Sequence, residues 1–216
     1  MKKKNLLVVK VLDILSSSSR TTMLGRLGTR WDWFKTLIAT ILSARAKDEV
    51  TEVVAEQLFK KYPDYNALAN ANPESVKNII HKIGFFNAKT KNIIATAKMI
   101  QNEFHGKVPA NREQLMLLPG VGRKVANCVI VYSFGQDAIP VDIHVHRISN
   151  RLGWVKTKTP EQTEEKLLQL VPKTHWQVLN DTFVRHGKTI CLPVSPKCSI
   201  CPVRRHCKRV NVTKSR

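Results

Sequence analysis

Acidic side chains are scarce in this chain. Only 16 aspartates and glutamates stand against 36 lysines and arginines in 216 residues, a formal net charge of +20. A surface that basic repels itself, so a polyanionic partner is expected. No apolar run is long enough to cross a bilayer, which excludes a membrane-spanning helix. A long basic amphipathic helix with an aromatic face is missing too, so the basic excess points to nucleic acid rather than a membrane surface. No signal peptide is expected, on similar grounds. Lys2-Lys3-Lys4 precede an apolar stretch from Leu6 to Leu15, but Lys10 and Asp13 interrupt it and no small-residue cleavage site follows. Leu7, Val11, Ile14 and Leu15 fit one face of a helix instead, and an intracellular protein is expected. Strand signals are also few, and the five cysteines are not spread like a disulfide framework.

What is present is helix punctuation. Trp31 to Ala44 carries a helical stripe of Phe34, Leu37, Ile38, Ile41 and Leu42. Asp48 is suited to cap a helix running to about Lys61, and Asn72-Pro73 reads as a cap followed by a first-turn proline. Gly84 is expected to close that helix. The stretch from Ala88 to Phe104 has Ile93, Ile94, Ala97 and Ile100 at helical spacing. Asn111 with Gln114 forms a capping box before Leu115 to Leu118. Further helices are expected from Arg123 to Phe134, from Asp142 to about Leu152, from Thr159-Pro160 to near Pro172, and from Thr174 to Gly187. Residues 137–141 are the expected crossing point between two helical lobes.

The most informative turn is Leu118-Pro119-Gly120-Val121-Gly122-Arg123-Lys124. It joins two helical runs, and N–H groups at the start of the second suit a phosphate. A lysine follows at once, placed beside the phosphate binder. It is not a dinucleotide-binding fingerprint, because Val125 occupies the third glycine's place and no strand precedes it. The turn has an echo: residues 76–97 read as helix, Ile83-Gly84-Phe85-Phe86-Asn87, helix. Eighteen positions beyond Lys124 comes Asp142, in Val-Asp-Ile-His.

Four cysteines crowd the C-terminal part: Cys191, Cys198, Cys201 and Cys207, spaced C-x6-C-x2-C-x5-C. Cys128 sits alone in an apolar run and reads as a small core residue. Clustering of this kind in a reducing compartment points to metal, and both zinc and a four-iron cluster accept four cysteines. Only Cys198 and Cys201 form a tight knuckle, and the wider loops suit the bulkier cubane. Lys197, Arg204, Arg205, Lys208 and Arg209 surround these cysteines, so the segment is expected to be a clip presenting positive charge. After Gly187 the chain has no helical period, and the metal is expected to organise it.

Taken in order, these elements resemble the endonuclease III homologues, DNA glycosylases with AP lyase activity in the helix–hairpin–helix superfamily. The resemblance rests on Ile41-Leu42-Ser43-Ala44 with Asp48, Ile83-Gly84-Phe85-Phe86-Asn87, the 118–124 turn, Val141-Asp142-Ile143-His144 with Arg147, His186-Gly187, and the cysteine spacing. It covers nearly the whole chain. It implies an all-α fold of two helical lobes with a DNA-binding cleft between them. One lobe spans residues 26–136 and contains the hairpin. The other joins residues 1–25 to 137–216 and holds a [4Fe-4S] cluster on Cys191, Cys198, Cys201 and Cys207.

The resemblance also implies base-excision repair of oxidised pyrimidines. Lys124 would attack C1′ of an extruded sugar, and β-elimination would then cut the strand. Asp142 would orient the amine and manage protons. Gly120, Val121, Gly122 and Arg123 would grip a phosphate, and Arg45, Phe85 and Lys197 would make further DNA contacts. Arg45 stands where the best-known bacterial members have glutamine, and Phe85 where they have leucine. These changes are expected to alter opposite-base preference rather than reaction type. The loop 192–197 is poor in positive charge, so Lys197 is expected to act there nearly alone. His144 is left outside catalysis. The expected partner is double-stranded DNA carrying damaged pyrimidines or abasic sites, met by a monomer in the cytoplasm at the nucleoid, or in the nucleus of a eukaryote. The alternatives are a monofunctional glycosylase acting on adenine, or on thymine or uracil in mismatches, and a non-catalytic helix–hairpin–helix DNA-binding protein. Lys124 argues against the first, and Lys124 with Asp142 against the second.

Overall fold

The computed structural model describes residues 2–17, 22–23 and 31–216, with backbone alone for residues 2–4. All regular elements among them are helical. The chain divides into two compact units, Met23–Gln136 and a second made of Met1–Thr22 with Asp137–Arg216. The expected lobe boundary at residues 25 and 26 lies outside the described residues. No described helix is long and apolar enough to cross a membrane.

Helix α1 (Lys2–Ser16) belongs to the second unit. The first unit runs through α2 (Trp33–Ser43), α3 (Asp48–Lys61), α4 (Tyr65–Ala69), α5 (Pro73–Ile80), α6 (Phe86–Asn102), α7 (Arg112–Leu115) and α8 (Arg123–Phe134). Helix α2 is its axis. Asp32 accepts from the Lys35 amide at 2.8 Å and starts the helix two residues after Trp31. Leu37, Ile38, Ile41 and Leu42 are buried, against α8 and α3 among others. Each such side chain contributes roughly 1.5–3 kcal/mol by leaving water. Asn72 and Asn111 cap α5 and α7 through their side chains, as the sequence suggests. Asp48 does not cap α3: Lys47 holds that position, and Asp48 sits in the first turn, where its charge faces the positive helix end. The α5 helix stops at Ile80, so Gly84 lies in the following turn rather than at the helix end.

The second unit adds α9 (Ile143–Leu152), α10 (Pro160–Leu170) and α11 (Trp176–Thr189). A short 3-10 turn at Lys173–His175 takes up the first residues of the helix expected from Thr174. Val8, Val11, Leu12 and Leu15 of α1 enter a core with Val145, Ile148, Leu167, Leu179 and Phe183. The rings of Trp154 and Phe183 lie 5.4 Å apart.

The segment after α11 requires a correction. A metal centre was expected to organise it, but among the described residues no group of three or more His, Cys, Asp or Glu side chains is placed to hold a metal ion. Main-chain and arginine bonds tie the segment down. The Ser199 amide donates to the Arg216 carbonyl, the Arg216 amide to Pro196, and the Val210 amide to Arg151. The Arg151 guanidinium reaches the carbonyls of Leu192 and Pro193 at 2.6 and 2.7 Å. Val203 is buried in the unit's core.

Candidate functional site

The turn before Lys124 is built from both of its flanks. Leu118 and Val121 are buried and anchor it, and the Val121 amide closes it onto the Leu118 carbonyl at 3.0 Å. Thr96 on α6 donates its hydroxyl to the Pro119 carbonyl at 3.0 Å. Gly120 has φ +81°, and a side chain there would meet the Asn92 amide nitrogen at 2.8 Å. Glycine is therefore required twice over, for conformation and for close docking on α6. Gly122 is different. It is the N-cap of α8, offers no capping side chain, and faces open space. The start of a twelve-residue helix is thus presented without a side chain in the way, which suits an anion. Arg123 and Lys124, both half-buried, are the first two residues of that helix.

Asp142 lies in the other unit, as the N-cap of α9. Its Oδ1 accepts from the amides of His144 and Val145 at 2.8 and 2.9 Å. Capping therefore employs one carboxylate oxygen and fixes the direction of the other. One turn on, Arg147 donates to the carbonyls of Gly187 at 3.2 Å and Cys191 at 2.9 Å, and its Nη2 lies 3.1 Å from His144 Nδ1. Burial and the nearby Arg151 charge lower the Arg147 pKa, while Cys191 and the Asp142 carboxylate oppose that fall. A side chain at Gly187 would come within 2.4 Å of His144 Nδ1. The glycine thus admits the His144–Arg147 pair against α11.

The echo of the hairpin is visible in the backbone. Ile83 and Leu118 are both buried, and two residues after each the chain turns left-handed, at Phe85 (φ 61°) and Gly120 (φ 81°). The same turn is made by glycine once and by phenylalanine once. A non-glycine residue held there costs roughly 1–3 kcal/mol, and such strain clusters at functional positions. Phe85 is 63% exposed, so core burial does not offset the cost. Arg45, also exposed and also left-handed at φ 55°, places its guanidinium carbon 5.7 Å from the centre of the Phe85 ring. The two residues expected to affect opposite-base preference therefore meet.

Lys89 lies beside them, outside every motif that points to function in the sequence. It is 6% exposed, and its ammonium donates to the carbonyls of Leu42 and Ala44 at 2.8 and 2.7 Å. Burial pushes its pKa down to about 8. A signal existed: Lys89 falls on the α6 stripe of Ile93, Ala97 and Ile100, where an apolar residue belongs.

All four C-terminal cysteines line one largely apolar pocket with Ile148, Leu152 and Val203. Their partners are groups of the protein. Arg151 approaches Cys191 Sγ at 3.4 Å, Cys207 Sγ bonds to the Arg151 carbonyl at 3.4 Å, and His186 Nε2 lies 3.8 Å from Cys201 Sγ. Burial pushes the Cys201 and Cys207 thiols up. Among the described residues, Cys191, Cys198, Cys201 and Cys207 therefore do not form the expected [4Fe-4S] site. Lys197 is half-buried, and its amide donates to the Ile190 carbonyl.

Residues 38–173 match the family described as "HhH-GPD superfamily base excision DNA repair protein". The chain is 44% identical over 177 residues to endonuclease III of Thermotoga maritima, an alignment spanning 82% of this chain and 83% of that protein. It is 38% identical to endonuclease III of Bacillus subtilis, over 81% and 80% of the two chains. Among solved structures it resembles a trapped endonuclease III–DNA covalent intermediate, an estranged-adenine complex. There the TM-score is 0.79 at 35% identity over 83% of this chain and 84% of that one. A thermostable thymine-DNA glycosylase shares the fold, with a TM-score of 0.84 at 24% identity over 96% of each chain.

Proposed function

We propose how this chain works from the family to which it belongs, the endonuclease III group of the HhH-GPD superfamily of base excision DNA repair proteins. It is a bifunctional DNA glycosylase and AP lyase. Its substrate is duplex DNA carrying oxidised pyrimidines or abasic sites, bound by a monomer wherever the cell keeps its DNA. The nucleophile is Lys124. One observation carries the assignment: Lys124 is the second residue of α8, directly behind the uncapped glycine turn. A phosphate held at that helix start brings the neighbouring sugar within reach of the amine.

The steps follow from the residue types. Neutral Lys124 Nζ attacks C1′ of the extruded nucleotide. The glycosidic C–N bond breaks, and the base departs with its electron pair and takes up a proton. The ring opens to an iminium joining Nζ and C1′. That cation acidifies C2′, which gives up a proton, and the C3′–O bond breaks with the phosphate as leaving group. Asp142 receives and returns protons and offsets the cationic sugar through the carboxylate oxygen that capping leaves over. Gly120, Val121, Gly122 and Arg123 hold the strand. Arg45, Phe85 and Lys197 make the outer contacts, with Arg45 favouring guanine opposite the lesion because guanine offers two acceptors to a guanidinium.

Borohydride trapping on abasic duplex DNA tests this. The parent chain is expected to give a covalent adduct and Lys124→Gln none. Asp142→Asn separates capping from catalysis, because asparagine caps equally well. It should leave the melting temperature near that of the parent and lower kcat by about a hundredfold or more. Unchanged kcat in Asp142→Asn would return this residue to a purely structural role.

A further inference from the structure

We propose that Lys89 is a positioning residue. It locks Arg45 and Phe85 into one outward-facing unit that stacks on the base left unpaired when the damaged nucleotide leaves the duplex. The proposal deepens the glycosylase reading above and rests on it.

Two turns from different parts of the first unit meet at this point. Each has a non-glycine residue in the left-handed region, Arg45 at φ 55° and Phe85 at φ 61°. Neither conformation is a local preference of its residue, so the surroundings must impose it. Lys89 bonds to both turns. Its ammonium takes the carbonyls of Leu42 and Ala44, the open C-terminal end of α2 immediately before Arg45. Its main-chain amide donates to the carbonyl of Phe85 itself at 3.0 Å. The Arg45 carbonyl also lies close to Gly84, where an added Cβ would sit 3.6 Å from it. The backbones of the two turns are therefore held against each other, and the side chains emerge together, guanidinium over ring.

An apolar side chain would fill the position of Lys89 on the buried stripe of α6 without desolvating a charge. A lysine there instead bonds to the two carbonyls that precede the strained turn at Arg45. An exposed aromatic ring with a cation over one face is a stacking platform for a lone base, since every base has a π-face. In an intact duplex no such face is free. The unit therefore recognises an orphaned base and favours guanine through Arg45.

Steady-state cleavage of duplexes with one abasic site, placed opposite each of the four bases, tests the proposal. Lys89→Met is expected to raise KM about tenfold, the scale of one stacked base. It should leave kcat within about twofold and flatten the preference for guanine over adenine. Lys89→Arg should restore much of both. Phe85→Gly relieves the left-handed backbone, so it should raise the melting temperature by about 2–4 °C while raising KM. In an Arg45→Ala/Phe85→Gly background, adding Lys89→Met should leave KM where it stands, because the groups through which it acts are gone. Two results overturn the proposal alone: Lys89→Met lowers the melting temperature without moving KM or the base preference, or its effect on KM persists undiminished in that background. Failure of the parent to cut abasic DNA overturns the underlying reading, and the proposal with it.

Discussion

Each of the two units carries a cation pulled out of water to hold main-chain carbonyls. In the first, Lys89 grips the end of α2 through Leu42 and Ala44. In the second, Arg147 grips Gly187 and Cys191 and so ties the helix capped by Asp142 to the chain beyond α11. The roles are alike, but the energetics differ. Burial lowers both pKa values; for Arg147 the Arg151 charge adds to the fall while Cys191 and Asp142 offset it, whereas among the described residues burial acts on Lys89 without such an offset. A buried charge without such an offset is a poor stabiliser. Arg147 is thus a fixed strut, whereas Lys89 trades stability for the shape of two strained turns. The chemistry follows the same division. Arginine stays charged at any pH a protein survives, but lysine does not.

Removing the strut should have the largest effect. Arg147→Met leaves the Gly187 and Cys191 carbonyls without their donor and should cost about 2–4 kcal/mol in denaturant unfolding. Arg147→Lys should recover little of it, because the fork of donors is lost. Lys89→Met should cost about 1 kcal/mol or less, since relief of the desolvated charge offsets the lost bonds. Equal losses for the two methionine variants would erase the distinction between strut and positioner.

A smaller effect is expected from the glycines beside each cation. Gly187→Ala puts a methyl against His144 and Arg147 and should cost about 1–3 kcal/mol. Gly84→Ala meets the Arg45 carbonyl only at ordinary contact distance, so its stability should stay within about 0.5 kcal/mol of the parent.

A separate test is pH dependence. The folded chain releases the Lys89 proton near pH 8, and the unfolded chain keeps it to about 10.5. Between these values the unfolded state binds more protons, so the stability contribution of this group rises with pH. The penalty of the buried charge is present in full below pH 8 and gone above 10.5. Lys89→Met should remove that rise, and Arg147→Met should leave it intact. A parent chain whose stability shows the same slope as Lys89→Met across this window would contradict the buried-charge assignment.

Much of the helical framework was legible locally. Asn72, Asn111, Asp142 and Thr159 act as caps through short-range bonds that spacing alone reveals. Asp64 caps the short α4 by the same kind of bond, but five residues carry too little apolar period for that helix to stand out. What stayed hidden depends on partners distant in sequence. The bonds from Lys89 to Ala44 and from Arg147 to Cys191 span 45 and 44 residues, and no window of sequence contains both ends. The left-handed Phe85 was invisible for a related reason: its residue type argues against the conformation that its neighbours impose. The cysteine spacing points to metal because regular spacing is a strong local sign. Spacing does not report where the thiols find their partners, and here those are Arg151, the Arg209 amide and His186.

Peptide mass spectrometry of the chain reduced with borohydride on abasic duplex DNA bears most directly on the central claim, that Lys124 bonds to the sugar. The account predicts one DNA remnant, on the peptide containing Lys124, with every other amine unmodified. A remnant on any other lysine or on the terminal amine, with Lys124 untouched, would contradict it.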